Sequence, residues 1–159
     1  MYVDRTKSAA DNMLALLNTT NDAALTYADF QLGDPTALPP VYLPPADPED
    51  PDEPQIVDRS ADNTQISATG KGDYSEVVQL TYRRLDLDFE VQFIRYDAVD
   101  YTDWADFKAQ FAVKNDIRVE ELVFNPAVMP TVPGTHDIAV NPVAMSLIYF
   151  GTKTIKVTV

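Results

Sequence analysis

The chain has 159 residues, 45% of them hydrophobic, enough for a packed core in one domain or two small lobes. Its formal net charge of −13, from 25 acids against 12 bases, opposes binding to nucleic-acid phosphates and anionic lipid and favours a basic protein partner. With no cysteine, disulfides, thiolate zinc sites and a cysteine nucleophile are excluded, and the composition fits synthesis in a reducing cytoplasm. The apolar runs, such as 143–150, are far too short to span a bilayer, and Met1-Tyr2-Val3-Asp4 lacks the pattern of a secretory signal.

Taken in chain order, residues 6–18 predict a helix, because Ala9, Ala10, Met13, Leu14 and Leu17 recur at spacings of three and four. Asn18-Thr19-Thr20-Asn21-Asp22 is expected to break it, since these side chains compete for backbone hydrogen bonds. A strand is expected around Phe30-Gln31-Leu32. From Pro35 to Pro54 the composition changes: eight of the twelve prolines lie here, with five acids between Asp47 and Glu53. Proline has no amide donor, so the segment is neither helix nor central strand and reads as an extended arm. One account makes it a solvated linker; the other makes it a partner-binding arm with Val41, Tyr42 and Leu43 as the apolar anchor. The partner-contact candidates are therefore Val41, Tyr42, Leu43, Asp47, Glu49, Asp50, Asp52 and Glu53.

Beyond the arm, residues 64–69 alternate polar and apolar, Gly70-Lys71-Gly72 supplies a turn, and 77–82 and 89–96 read as strands. Residues 101–113 predict a second helix, with Trp104, Phe107, Lys108 and Phe111 at helical spacing and Thr102 or Asp103 as its cap. Strands are expected at 121–124, 137–140, 144–150 and 152–159.

The two halves of the sequence match. Met13 and Phe107 stand 94 positions apart, as do Leu17 and Phe111, Asn21-Asp22 and Asn115-Asp116, Leu25 and Val119, and Phe30 and Phe124. The order continues with a proline-containing loop and a strand, and Val78-Gln79-Leu80-Thr81-Tyr82 is similar to Ile155-Lys156-Val157-Thr158-Val159. The expected architecture is α+β: two similar lobes, each a helix packed on a small, mostly antiparallel sheet, joined with the proline-rich acidic arm. Residues 1–97 are expected to form the first lobe, carrying the arm at 35–54, and 98–159 the second.

Groups suited to chemistry are sparse. His136 is the lone histidine, with Asp137 beside it, and its expected role is a turn cap or strand start rather than a general base. The acids from Asp47 to Glu53 are the right ligand type for a hard cation, yet the prolines forbid a tight calcium-binding turn and no glycine is present to make it. Asp86, Asp88, Asp97, Asp100 and Asp103 read as turn and cap aspartates, with Arg83, Arg84 and Arg95 as neutralising partners. No catalytic residue, cofactor or metal site is expected.

Asn63-Thr64-Gln65-Ile66-Ser67-Ala68-Thr69, a turn through Tyr74, and Val78-Gln79-Leu80-Thr81-Tyr82-Arg83-Arg84-Leu85-Asp86-Leu87 together resemble a segment of tailed-bacteriophage virion structural proteins. There a strand ending in Tyr-x-Arg-Leu-Asp-Leu closes a helix-plus-strands unit that often occurs twice. The stretch from Leu14 to Gly33 is similar to the opening of that unit; the second half matches more loosely and ends without the Arg-Leu-Asp-Leu tail. The resemblance implies a particle component, made in the host cytoplasm and located in the virion. Its partners would be other virion proteins and copies of itself, with no nucleic acid and no membrane.

Overall fold

A computed structural model describes residues 3–50 and 52–159. The fold is α+β and divides into two compact units, one comprising Val3 and Asp11–Arg84, the other Asp4–Ala10 and Leu85–Val159.

Helix α1 (Ala9–Asn21), which belongs to the first unit from Asp11 onward, buries Met13, Leu16 and Leu17. The helix begins three residues later than periodicity predicts and also ends three later. At its start Asp4 accepts the amide and hydroxyl of Thr6 (2.9 and 2.7 Å), which holds a non-helical turn. At its end the polar cluster does not break the helix, because its side chains bond where they stand. Asn21 donates to the Leu17 carbonyl at 2.8 Å, and Asn18 bonds both the amide and the carbonyl of Leu25. The chain leaves the helix only at Asp22, in the left-handed conformation with φ 49°.

Three strand positions follow. β3 (Thr64–Gly70) is central, with β4 (Val77–Tyr82) antiparallel on one side. Its other side takes two short segments, β1 (Phe30–Leu32) and β2 (Thr36–Ala37). Alternation puts Thr64, Ile66, Ala68, Leu80 and Tyr82 inside. The final residues of the unit clamp its edge: Asn63 donates to the Arg84 carbonyl and accepts the Arg84 amide, both at 2.9 Å, and the Arg84 Nε donates to Thr64 Oγ1.

In the second unit, α3 (Trp104–Asn115) starts at Asp103, which accepts the Asp106 amide at 2.8 Å while Asp106 accepts that of Thr102. Strands β7 (Leu122–Asn125), β8 (Thr135–Pro142) and β10 (Lys153–Thr158) form an antiparallel meander, and β6 (Arg95–Asp97) joins β10 in parallel, giving the order β6-β10-β8-β7. Two short strands, β5 (Leu85–Asp86) and β9 (Tyr149–Phe150), pair in parallel nearby. The core is aromatic. Trp104 stacks on Phe107 at 4.7 Å between ring centres, Tyr96 meets Phe107 edge-on at 5.3 Å, and Phe111 meets Phe124 at 5.3 Å.

Three expectations are corrected here. Residues 85–97 do not belong with the first lobe: β5 and β6 hydrogen-bond to strands of the second half, so the division falls at Arg84/Leu85 rather than after Asp97. Residues 89–96 are not one strand. The Asp86 carboxylate accepts the Asp88 amide and opens a short helix, α2 (Leu87–Glu90), before the chain extends again. Within 144–150 only Tyr149–Phe150 is strand, because Ser146 Oγ accepts the amides of Ile148 and Tyr149 and holds a turn.

The two helices end alike, 94 residues apart. Asn115 donates to the Phe111 carbonyl as Asn21 does to that of Leu17. Asp116 has φ 52° against 49° at Asp22, and the Ile117 amide reaches the Ala112 carbonyl as the Ala23 amide reaches that of Asn18, each at 3.0 Å. The meanders agree as well. Phe30 pairs with Gly70, and Phe124 with Val140; counting along β3 and β8 from those pairs sets Ala68 opposite Val78 and Ile138 opposite Ile155. Among the described residues no helix is long and apolar enough to cross a membrane.

Candidate partner-contact site

The arm between β2 and β3 is not a simply extended segment. It doubles back as a narrow hairpin. The Leu38 amide donates to the Asn63 carbonyl at 2.8 Å, the Asp58 amide to Val41 at 2.7 Å, and the Leu43 amide to Ile56 at 2.8 Å, with an antiparallel bridge at Tyr42 and Val57. Pro39, Pro40, Pro44 and Pro45 flank this bridge; without amide donors they keep the ladder short. The tip is closed by one side chain: the Glu53 carboxylate accepts the amides of Ala46 (3.0 Å) and Asp47 (2.9 Å). Inside the tip, Asp47 accepts the Glu49 amide and Asp50 the Asp52 amide.

Residues opposite each other in an antiparallel pair share a face. Tyr42 and Val57 therefore project to one side of the ribbon, and Leu43 and Ile56 to the other. All are open to solvent: Val41, Tyr42, Leu43, Ile56 and Val57 are 44–60% exposed. The anticipated anchor of Val41, Tyr42 and Leu43 is thus joined by two residues the sequence reading omitted. Their signal was a second apolar pair, Ile56-Val57, placed just beyond the acidic stretch as Tyr42-Leu43 is placed before it.

The acidic candidates divide by role. Asp47, Asp50 and Glu53 fold the tip by accepting its amides, while Glu49 and Asp52 present exposed carboxylates. Among the described residues no cluster of three His, Cys, Asp or Glu side chains is arranged to hold a metal.

Elsewhere the singled-out residues have local duties. Asp86, Asp97 and Asp103 each accept an amide at a helix or turn start. Asp88 pairs with Lys153 at 2.9 Å rather than with Arg83, Arg84 or Arg95, the partners anticipated for this group. His136 lies in β8, its Nε2 2.7 Å from the Val132 carbonyl across the preceding turn.

The first unit also holds a recess of about 380 Å³ beside the end of α1, lined by Leu17, Phe30, Ala68, Tyr74, Glu76 and Val78 among others. Where it has Ala68, Gly70 and Val78, the matching register of the second unit places Ile138, Val140 and Ile155, which are fully buried. Added side-chain volume accounts for the difference in filling.

No family model, no curated protein and no solved structure matches the chain.

Proposed function

We propose that the chain is a structural or assembly component of a tailed-bacteriophage particle, in the tail, neck, baseplate or capsid surface, and that it acts through contacts with other subunits rather than through catalysis. The observation that carries this reading is the folded arm. A chain of net charge −13 places five large apolar side chains, each 44–60% exposed, on the two faces of a hairpin ribbon. The Tyr-x-Arg-Leu-Asp-Leu segment supports it. Its residues have definite structural work: Tyr82 is buried, Arg84 clamps β3 to β4, Leu85 begins β5, Asp86 caps α2 and Leu87 is buried.

On this reading the protein is made in the host cytoplasm and resides in the virion, bound to other virion proteins. The charge of −13 supports protein partners over nucleic acid or anionic membrane. The same charge favours a second reading, an acidic adaptor or host-interaction module that binds a basic protein outside the particle. Mass spectrometry of purified virions separates the two. A fixed copy number per particle supports the first reading, and absence from particles overturns it. Deleting residues 39–54 is expected to abolish incorporation while leaving the far-UV circular dichroism of the remaining fold intact; normal assembly of that deletion would remove the arm from the argument.

A further inference from the structure

We infer that the arm is a two-faced plug: it inserts between surfaces of a different, basic protein and is not a contact between copies of this chain. The inference rests on the subunit-contact reading above and names the kind of partner.

Three observations lead to it. First, a ribbon that lies flat on a neighbour needs one apolar face, with the other left polar towards water. Here Tyr42 and Val57 point to one side and Leu43 and Ile56 to the other, and every one is 44–60% exposed. Both faces therefore need covering, which a cleft provides and a flat surface does not. Second, strand addition along the outgoing leg is blocked. Prolines 39, 40, 44 and 45 offer no amide donors on the outgoing leg, so recognition falls to side chains rather than to a continued main-chain ladder. Third, the tip carries Asp47, Glu49, Asp50, Asp52 and Glu53 within seven positions, and the only basic residue between Pro35 and Asn63 is Arg59. Meeting a second copy would bring this acidic tip against a chain of charge −13; a cleft lined with Lys or Arg meets it with complementary charge. The folded tip matters too. With Glu53 holding the Ala46 and Asp47 amides, the carboxylates of Glu49 and Asp52 are presented on a closed loop, which lowers the ordering cost on docking.

Photo-crosslinking tests this directly, with benzoylphenylalanine placed at Tyr42 in one variant and at Leu43 in another. It is read by mass spectrometry in purified particles and, in parallel, in the producing cells. The expected result is that both positions crosslink to one and the same foreign chain, at peptides rich in Lys or Arg. The pairs Tyr42→Ser with Val57→Ser, and Leu43→Ser with Ile56→Ser, should each lower complex formation at least about tenfold. Glu49→Lys with Asp52→Lys should do likewise, and substituting Glu for the crosslinked partner's basic residues should restore binding to that variant. Crosslinks between copies of this chain, crosslinks from one face only, an acidic partner peptide, or no crosslink at either position would each overturn the inference. Circular dichroism of each variant shows whether the fold survives, and the crosslinking readout needs no core substitution. If the chain is absent from particles but crosslinks to a basic partner in cells, the particle reading fails and the plug stands. If it is in particles but crosslinks to itself, the reverse holds.

Discussion

The two units use one plan and fill it differently. Each has a helix that ends at an Asn-Asp pair, with the Asp left-handed, followed by an antiparallel meander entered at a buried Phe. The second unit packs this plan with Tyr96, Tyr101, Trp104, Phe107, Phe111 and Phe124. The first uses Met13, Leu16, Leu17, Ile66 and Leu80, and leaves a recess where small residues stand. The connection between first and second strands differs most. In the second unit it is a short uncharged loop around Pro126, Pro130 and Pro133; in the first it is the longer acidic hairpin. The helix cap and strand register therefore specify the plan, while core chemistry and loop length vary around it. That is the expected result when backbone hydrogen bonds must all be satisfied but apolar volume can be supplied in several ways.

The helix-end asparagines give the largest test. Asn115 is buried; it donates to the Tyr96 hydroxyl and the Phe111 carbonyl and accepts the amides of Gln92 and Phe93 at 3.0 and 2.9 Å. Asn21 is exposed and bonds to Leu17. Asn115→Ala is expected to cost about 2–3 kcal/mol, because two part-buried amides lose their acceptor and the buried Tyr96 hydroxyl its donor, whereas Asn21→Ala should cost under about 1 kcal/mol. Urea unfolding measures both: Trp104, the only tryptophan, reports the second unit by fluorescence, and circular dichroism reports the whole chain. Equal costs would mean that the shared cap geometry, not the second unit's added network, determines stability.

A smaller contrast separates two buried tyrosines. The Tyr96 hydroxyl donates to the Phe93 carbonyl at 2.9 Å and accepts from Asn115. The Tyr82 hydroxyl is buried with no hydrogen-bond partner among the described residues. Tyr96→Phe should destabilise by about 1–2 kcal/mol and Tyr82→Phe should stabilise by about 1 kcal/mol, since it removes a polar group that burial leaves unpaired. Burial pushes both phenols up to about 12, from an ordinary value of 10.0. The fold thus favours the neutral forms. Their contribution is complete below pH 10 and is lost as pH climbs from 10 towards 12, where unfolded tyrosine has already ionised. Either Phe variant should flatten its share of that alkaline loss; a loss unchanged in the double variant would assign it to other groups.

Much of this plan can be read from residues close together in the chain. The two helices, the alternation in 64–69 and the strand at 77–82 are local signals, and the structure keeps them. What misled was local as well. Phe89, Val91 and Phe93 alternate like a strand, yet the Asp86 cap turns the chain at Leu87, and only Arg95–Asp97 pairs as a strand, with β10. Pairings with Tyr149 and with Lys156–Thr158, some 60 residues away, decide where 85–97 belong, and no short window contains that information. The arm was legible as a proline-rich, apolar and acidic segment. Its return was not, because Glu53 reaching Ala46 and Asp47 and Val57 facing Tyr42 are closures across the turn rather than preferences of single residues.

The smallest effect tests the shared feature itself. Asp22 and Asp116 sit at φ 49° and 52°, where a Cβ crowds the following carbonyl. Glycine removes that strain, so Asp22→Gly and Asp116→Gly should each stabilise by about 0.5–1 kcal/mol. Asp116 has one additional contact, its carboxylate lying 3.6 Å from the Arg5 guanidinium, but the side chain is 88% exposed and solvent screens the pair. Arg5 also donates to the Asp116 backbone carbonyl at 3.3 Å, a bond that glycine retains. The two gains should therefore agree in sign and nearly in size when measured by urea unfolding. Opposite signs would show that the two helix ends, despite matching angles and bonds, store strain differently, and the case for one plan used twice would rest on strand register alone.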